Sequence, residues 1–147
     1  MTNPEQVYAV VANFLSLEER LRECMECIPY TSQNQDVVSP KFPPIILESC
    51  SLTESIFKQT TSDRERHTLR TYAGVLEPDL ELSDTTTIFL SHSLRFLRPF
   101  RNWQITPPTW WTAYNKLKHD RMGNYEAASY AATVNALAGL HQVSRAE

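Results

Sequence analysis

From Val7 to Ile28 the apolar residues Val7, Val11, Phe14, Leu15, Leu21, Met25 and Ile28 recur at close to a helical period. Glu18, Glu19, Arg20, Arg22 and Glu23 take the wet side, so the stretch predicts a long amphipathic helix. Thr2 or Asn3 can cap it, Pro4 suits its first turn and Pro29 ends it. The polar run from Thr31 to Lys41, punctuated by Pro40, Pro43 and Pro44, reads as a loop whose Val37-Val38 pair can pack on the helices. A second helix is expected from about Pro44 to Gln59, with Ile45, Ile46, Cys50, Ile56 and Phe57 on its apolar side. Ser62-Asp-Arg-Glu has the form of a capping box and restarts a helix that carries His67, Leu69, Tyr72 and Leu76 and stops before Pro78.

The period then changes. Thr85-Thr-Thr-Ile-Phe-Leu90 is β-branched and aromatic, Ser91-His-Ser93 reads as a turn, and Leu94 to Trp103 has strand composition. A small β-hairpin or extended arm is expected, with Pro99 ending the second strand or confining it to an edge. Pro108 opens another helix in which nothing breaks the period until Gly123, and an alanine-rich final helix runs from Tyr125 to Leu140. Its small residues let a neighbouring helix approach closely, which suits either the centre of a bundle or a dimer seam. The expected fold is mostly α: an antiparallel bundle of four to five helices with a small β-hairpin or extended arm inserted before the helix at Pro108. One domain spans residues 1–147.

Candidate chemistry concentrates in Trp110-Trp-Thr-Ala-Tyr-Asn-Lys-Leu-Lys-His-Asp-Arg121. On a 3.6-residue period Trp111, Asn115, Lys118 and His119 fall along one stripe, and Trp110, Tyr114, Leu117 and Arg121 along the next. The His119 imidazole therefore follows the Asn115 amide by one turn on one face. An imidazole can move a proton, and an amide and cations can orient a phosphate and stabilise its charge. The same residues also read as helix structure. Trp110 and Trp111 then fill the core, Asn115 satisfies buried backbone, and His119 is a cation favoured by the helix C-terminal dipole.

Tyr114-Asn-Lys-Leu-Lys-His119 has the frame of an Arg-polar-X-X-X-His motif and resembles that of the HEPN superfamily, small helical bundles of which many are RNA-cleaving toxins or defence proteins. Asn115 falls on the polar position and His119 on the histidine, while Tyr114 stands where the family has arginine. Ser49-Cys-Ser upstream and Ala136-Leu-Ala-Gly-Leu140 downstream extend the likeness over most of the chain. The resemblance implies a HEPN-like homodimer of a bacterial or phage defence or toxin–antitoxin system. With the arginine replaced, it implies a module that binds RNA, a nucleotide or a partner protein encoded nearby, with the Trp110–Trp111 pair as a stacking or packing surface and Tyr114 among the binding residues. The alternative is a metal-independent ribonuclease whose composite site forms across the dimer. There His119 would be base or acid, Asn115 would orient the phosphate or the imidazole, and Lys118 or Arg121 would replace the arginine. Similar proteins often place an acid facing the motif helix, which singles out Glu48 and Glu54. Both also read as surface glutamates, Glu54 with an i,i+4 partner in Lys58. No cofactor is expected.

Composition narrows the classes. A chain of 147 residues can bury a core without metal or disulfide help. No apolar run reaches the length of a membrane span, and Met1-Thr-Asn-Pro-Glu-Gln lacks the basic start of a secretory signal, so a cytoplasmic protein with no membrane partner is expected. A formal net charge of −3 gives no global attraction to nucleic acid. Between Asp84 and Asp120, however, there is no acidic residue, while Arg95, Arg98, Arg101, Lys116 and Lys118 lie there with all three tryptophans. Such a segment suits a phosphate-bearing partner, with Arg98 and Arg101 contributing; equally, these are solvated faces whose acids come from other helices. Cys24, Cys27 and Cys50 are an odd number, which argues against a disulfide framework. Cys24-Met-Glu-Cys27 has metal-ligand spacing but lies inside a helical pattern, so the thiols read as buried or half-buried and no metal site is expected.

Overall fold

Three helices begin where a side chain or a loop takes up orphan N–H groups, and the other two open at proline. In the computed structural model, which describes residues 3–62, 67–91 and 93–145, the Asn3 side chain accepts the Glu5 N–H at 2.9 Å ahead of α1 (Pro4–Cys27). Helix α2 (Phe42–Thr60) opens with proline in its first turn, where a missing N–H costs nothing. Thr68 accepts the Thr71 N–H at 3.3 Å ahead of α3 (Leu69–Leu80). This start replaces the one expected at Ser62, which closes the turn after α2 with a φ of 55°. Residues 63–66 of that expectation lie outside the described residues.

Helix α3 also runs through Pro78 instead of stopping before it. The proline gives up only the bond to the Gly74 carbonyl, on an exposed side where water can replace it, and the helix ends soon after at left-handed Glu81. After a short turn of 3-10 helix (Leu82–Asp84) the expected hairpin follows. Strand β1 (Thr87–Leu90) pairs antiparallel with β2 (Leu94–Leu97), Thr87 opposite Leu97 and Leu90 opposite Leu94. Pro99 lies just past the second strand; His92, in the expected turn, lies outside the described residues. Then come α4 (Thr109–His119), a 3-10 turn (Tyr125–Ala127) and α5 (Tyr130–Arg145).

The final helix thus starts at Tyr130 and not at Tyr125, and its partners explain why. The Tyr130 and Ala131 N–H groups donate to the Val37 and Gln35 carbonyls at 2.8 and 3.0 Å, and the Ala132 N–H to Ser129 Oγ at 3.1 Å. The loop before α2 therefore caps α5, and the Tyr130 hydroxyl adds a 2.6 Å bond to the Ile28 carbonyl. Val38 itself forms a bridge with Ser129. Helix α5 packs against α1, α2 and α4 and is buried along most of its length, so it takes the centre of the bundle.

A continuous row of aromatic rings fills the space between α2, α3 and α4. It runs Tyr72, Phe57, Trp103, Phe100, Trp110, Trp111, Tyr114, with neighbouring centroids 5.0 to 5.8 Å apart. Both central indoles find acceptors. Trp103 Nε1 donates to the Glu77 carboxylate, which also takes the Ser83 N–H, and Trp110 Nε1 donates to the Pro99 carbonyl at 2.8 Å. The Trp110 ring lies so close to Gly139 that a Cβ there would meet it at 2.9 Å. The glycine of the small-residue run is what lets α4 approach α5.

Two stability predictions follow from this packing. Replacing Gly139→Ala gains about 1 kcal/mol of helix propensity but overpacks a buried indole, which costs about 1–3 kcal/mol. The variant is expected to unfold at lower urea concentration than the parent; an equal or higher midpoint would show that Trp110 can shift without cost. His141 lies half-buried against Phe14, with ring centroids 5.5 Å apart, and burial, aided by Arg145, lowers its pKa while Glu18 pulls the other way. Because the folded value lies below the unfolded value of about 6.5, this contribution is fully present above about pH 6.5 and is lost as pH falls through the folded value. Urea midpoints measured from pH 7.5 down to 5.5 are expected to fall less in His141→Gln than in the parent, and identical slopes would remove His141 from the account.

Candidate functional site

Helix α4 turns Trp110, Trp111, Ala113, Tyr114 and Leu117 inward and leaves Thr112, Asn115, Lys116, Lys118 and His119 exposed. The apolar set sets this rotation, because Trp110 is held at one end by Pro99 and Gly139 while Tyr114 and Leu117 follow it one and two turns on. Asn115 and His119 stand one turn apart in solvent, as the helical period places them. Trp111 departs from the expected stripe. Its indole is only 4% exposed, because helical side chains lean toward the N-terminus and this one packs on Trp110 and Tyr114. Trp110 and Trp111 are core residues that pack inside the bundle and give no stacking face to a ligand, which corrects half of what was expected of them, and Tyr114 is buried beside them.

The exposed stripe forms a ridge between two hollows. On one side, Lys118 and Tyr114 face Asn13, Ser51 and Glu48 across an open hollow of about 470 Å³ between α4 and the first two helices. The Lys118 ammonium lies 4.5 Å from the centre of the Tyr114 ring, and Glu48 is paired with Arg20 at 3.6 Å. On the other side, Lys116 borders a broad hollow of about 650 Å³ with the turn Met122–Ala127. Asn115 and His119 line neither hollow.

The C-terminal end of α4 is built to present cations. Lys116, Lys118 and His119 occupy its last turn, where unpaired carbonyl oxygens favour positive charge. Asn124 donates to the Lys116 and Asp120 carbonyls at 3.0 and 2.9 Å, and the Gly123 N–H donates to Asp120 Oδ1 at 3.0 Å. A Cβ at position 123 would overlap that carboxylate, so the glycine permits the tight turn. The helix ends at His119, before the break expected at Gly123, so Arg121 lies exposed in the turn and off the helical stripe expected of it.

Other candidates lie apart from the ridge. Arg98 donates to the Ser83 carbonyl at 2.9 Å and to Asp84 at 3.0 Å, tying the end of the hairpin to the turn before it. Arg98 and the exposed Arg101 border a hollow of about 390 Å³ with Thr109, at the opposite end of α4. An eleven-residue helix spans about 15 Å, so the structure does not bring these arginines to His119. Glu54 and Lys118 each lie within electrostatic reach of the buried Cys50. Both act on the Cys50 thiol, which burial drives well above its usual pKa; Glu54 pushes it further up and Lys118 opposes. Cys24 is also buried and Cys27 exposed. Among the described residues no group of His, Cys, Asp or Glu side chains could hold a metal ion, and no helix is long and apolar enough to cross a membrane.

No protein-family model matches this chain, and no curated protein or solved structure matches it. Asn13 and Ser51 come to Lys118 from other helices and carry no local signal in the sequence. Lys116 was legible as charge, and its position three residues before His119 already places it beside the imidazole.

The inward and outward residues of α4 predict opposite responses. Tyr114→Ala is expected to cost about 3–5 kcal/mol, as for other buried aromatic truncations. Asn115→Ala and His119→Ala are expected to stay within about 0.5 kcal/mol of the parent. Urea unfolding of the three variants checks this, and a loss at His119→Ala comparable to that at Tyr114→Ala would mean that the imidazole serves the fold.

Proposed function

We propose that this chain is a HEPN-like binding module of a defence or toxin–antitoxin type system, which engages RNA through the exposed face of α4 and does not cleave it. The observation that carries this reading is the solvent-facing Asn115–His119 stripe with Lys116, Lys118 and Arg121 around it, on a helix that has no acidic residue. A chain of net charge −3 thus gathers cations on one ridge, which attracts phosphate locally without attracting it everywhere. Because the tryptophans are buried, recognition rests on charge and hydrogen bonds and not on stacked bases. Such binding is salt-dependent and tolerant of sequence.

Geometry also favours binding over cleavage. Attack by the RNA 2′-hydroxyl needs a base, an acid and a cation held around one phosphate. One ridge supplies a single imidazole and two lysines, Lys118 already lying 4.5 Å from the centre of the Tyr114 ring, and Tyr114, at the arginine position of the motif, is a buried phenol and no guanidinium. The second reading is a metal-independent ribonuclease in which two copies face each other and His119 of each, with Lys118 or Arg121, completes the site. The openness of Asn115 and His119 to an approaching second ridge favours it.

Fluorescence anisotropy with a labelled single-stranded RNA tests both readings. Three phosphate contacts predict that log K falls with log salt at a slope of about −2, and Lys116→Ala/Lys118→Ala/Arg121→Ala should remove most of both the slope and the affinity. Undiminished binding by that triple variant would exclude the ridge. RNA cleavage by the parent chain that is abolished in a folded His119→Ala variant would replace the binding reading with the ribonuclease.

A further inference from the structure

The hairpin presents a second surface that shares no residue with the α4 ridge. Its inner face packs on the bundle, with the Phe89 ring 5.7 Å from that of Tyr30 and the Arg95 guanidinium 5.3 Å from the same ring. Its outer face is apolar across both strands. Ile88 opposite Phe96 and Leu90 opposite Leu94 are 63%, 66%, 74% and 55% exposed, where a half-buried hairpin ordinarily turns polar side chains to water.

Beside the hairpin runs a groove of about 410 Å³, floored by α5 through Leu137, Ala138 and His141 and walled on the far side by α1. All four consecutive residues of β1 line it and no residue of β2 does. Successive strand side chains point to opposite faces, so a groove that meets every one of them runs along the edge of the strand. That edge is the one β2 leaves unpaired, where alternate N–H and C=O groups point outward. The strand is held at both ends. Gln142 Nε2 donates to the Thr85 carbonyl and Thr87 Oγ1 at 3.0 and 2.9 Å, and Ser91 Oγ donates to the Tyr30 carbonyl at 3.4 Å.

We propose that this edge and groove receive an extended segment of a partner protein as a third strand, apolar at alternate positions and carrying a basic residue. The edge is about 13 Å long, enough for four paired residues. Alternate apolar side chains would enter the groove over Leu137 and Ala138, and the others would extend the outer face of Ile88 and Leu90. The charge follows from the α1 wall. Arg22 donates to both oxygens of Glu19 at 2.8 and 2.6 Å, so the wall carries two carboxylates to one arginine, and exposed Glu18, within electrostatic reach of Arg22 and His141, stands at the rim to meet a Lys or Arg. Area argues against a second copy here. Even counted at ~200 Å² for a whole side chain, the exposed parts of the four outer residues offer about 500 Å², short of the ~800 Å² that each partner buries in a stable dimer.

A fluorescein-labelled peptide Lys-Val-Thr-Ile-Thr-Val-Lys and its analogue N-methylated at every internal amide test the proposal on the full chain. Anisotropy should show the plain peptide binding and the methylated one weaker by about tenfold or more, since only the first can pair with a strand edge. Hydrogen exchange of the β1 amides should slow when the plain peptide binds. Ala138→Trp, which fills the floor, and Glu18→Lys, an exposed change that keeps the fold if Ala138→Trp does not, should each weaken binding. Equal binding of the methylated peptide would mean an apolar surface without strand pairing and would overturn the proposal. So would no binding of the plain peptide at about 1 mM, or β1 protection that rises with protein concentration in the absence of peptide, the mark of a second copy on the edge.

Discussion

Burial of the Trp110 indole decides which way α4 faces. The ring is 3% exposed, hydrogen-bonded to the Pro99 carbonyl, edge-on to Phe100 and pressed on Gly139. Removing an indole of about 200 Å² from water is worth about 5 kcal/mol, an upper figure, whereas an exposed ion pair is worth about 0–1 kcal/mol. The apolar side of the helix therefore sets its rotation, and the polar side goes where that rotation leaves it. Asn115, Lys116 and His119 reach solvent because Trp110, Tyr114 and Leu117 go inward.

Local patterns made much of this legible. The cap at Asn3, the prolines opening α2 and the β-branched run that becomes β1 all act within a few residues, and each was readable from its own stretch of chain. What escaped depends on partners distant in sequence. The start of α5 at Tyr130 is set by carbonyls of Gln35 and Val37, nearly a hundred residues earlier, and no local signal marks it. Pro78 was expected to stop α3, yet in the last turn it removes a single solvent-side bond. Trp111 was placed on the Asn115 stripe by angle alone, and the length and backward lean of its side chain carry the ring into the core. The hollow beside Lys118 escaped for the same reason as the α5 cap, since Asn13 and Ser51 come from two other helices.

The ridge and the groove use different physics. The ridge collects charges at the dipole end of α4, where lysines are stabilised whether or not they meet a ligand, so its function has to be shown by what it attracts. The groove leaves strand edge and apolar surface unsatisfied, a cost to the isolated chain that covering them would relieve. Both α4 and β1 pack on α5, so the two surfaces share one supporting helix.

The most direct measurement is an amide ¹⁵N–¹H spectrum of the chain titrated with a short single-stranded RNA at low salt. RNA binding at the α4 ridge predicts shifts confined to Thr112, Asn115, Lys116, His119 and the turn through Arg121, with the buried Trp110 indole signal nearly unmoved. Shifts centred on the hairpin or at Arg98 and Arg101, or a spectrum unchanged by RNA, would contradict it.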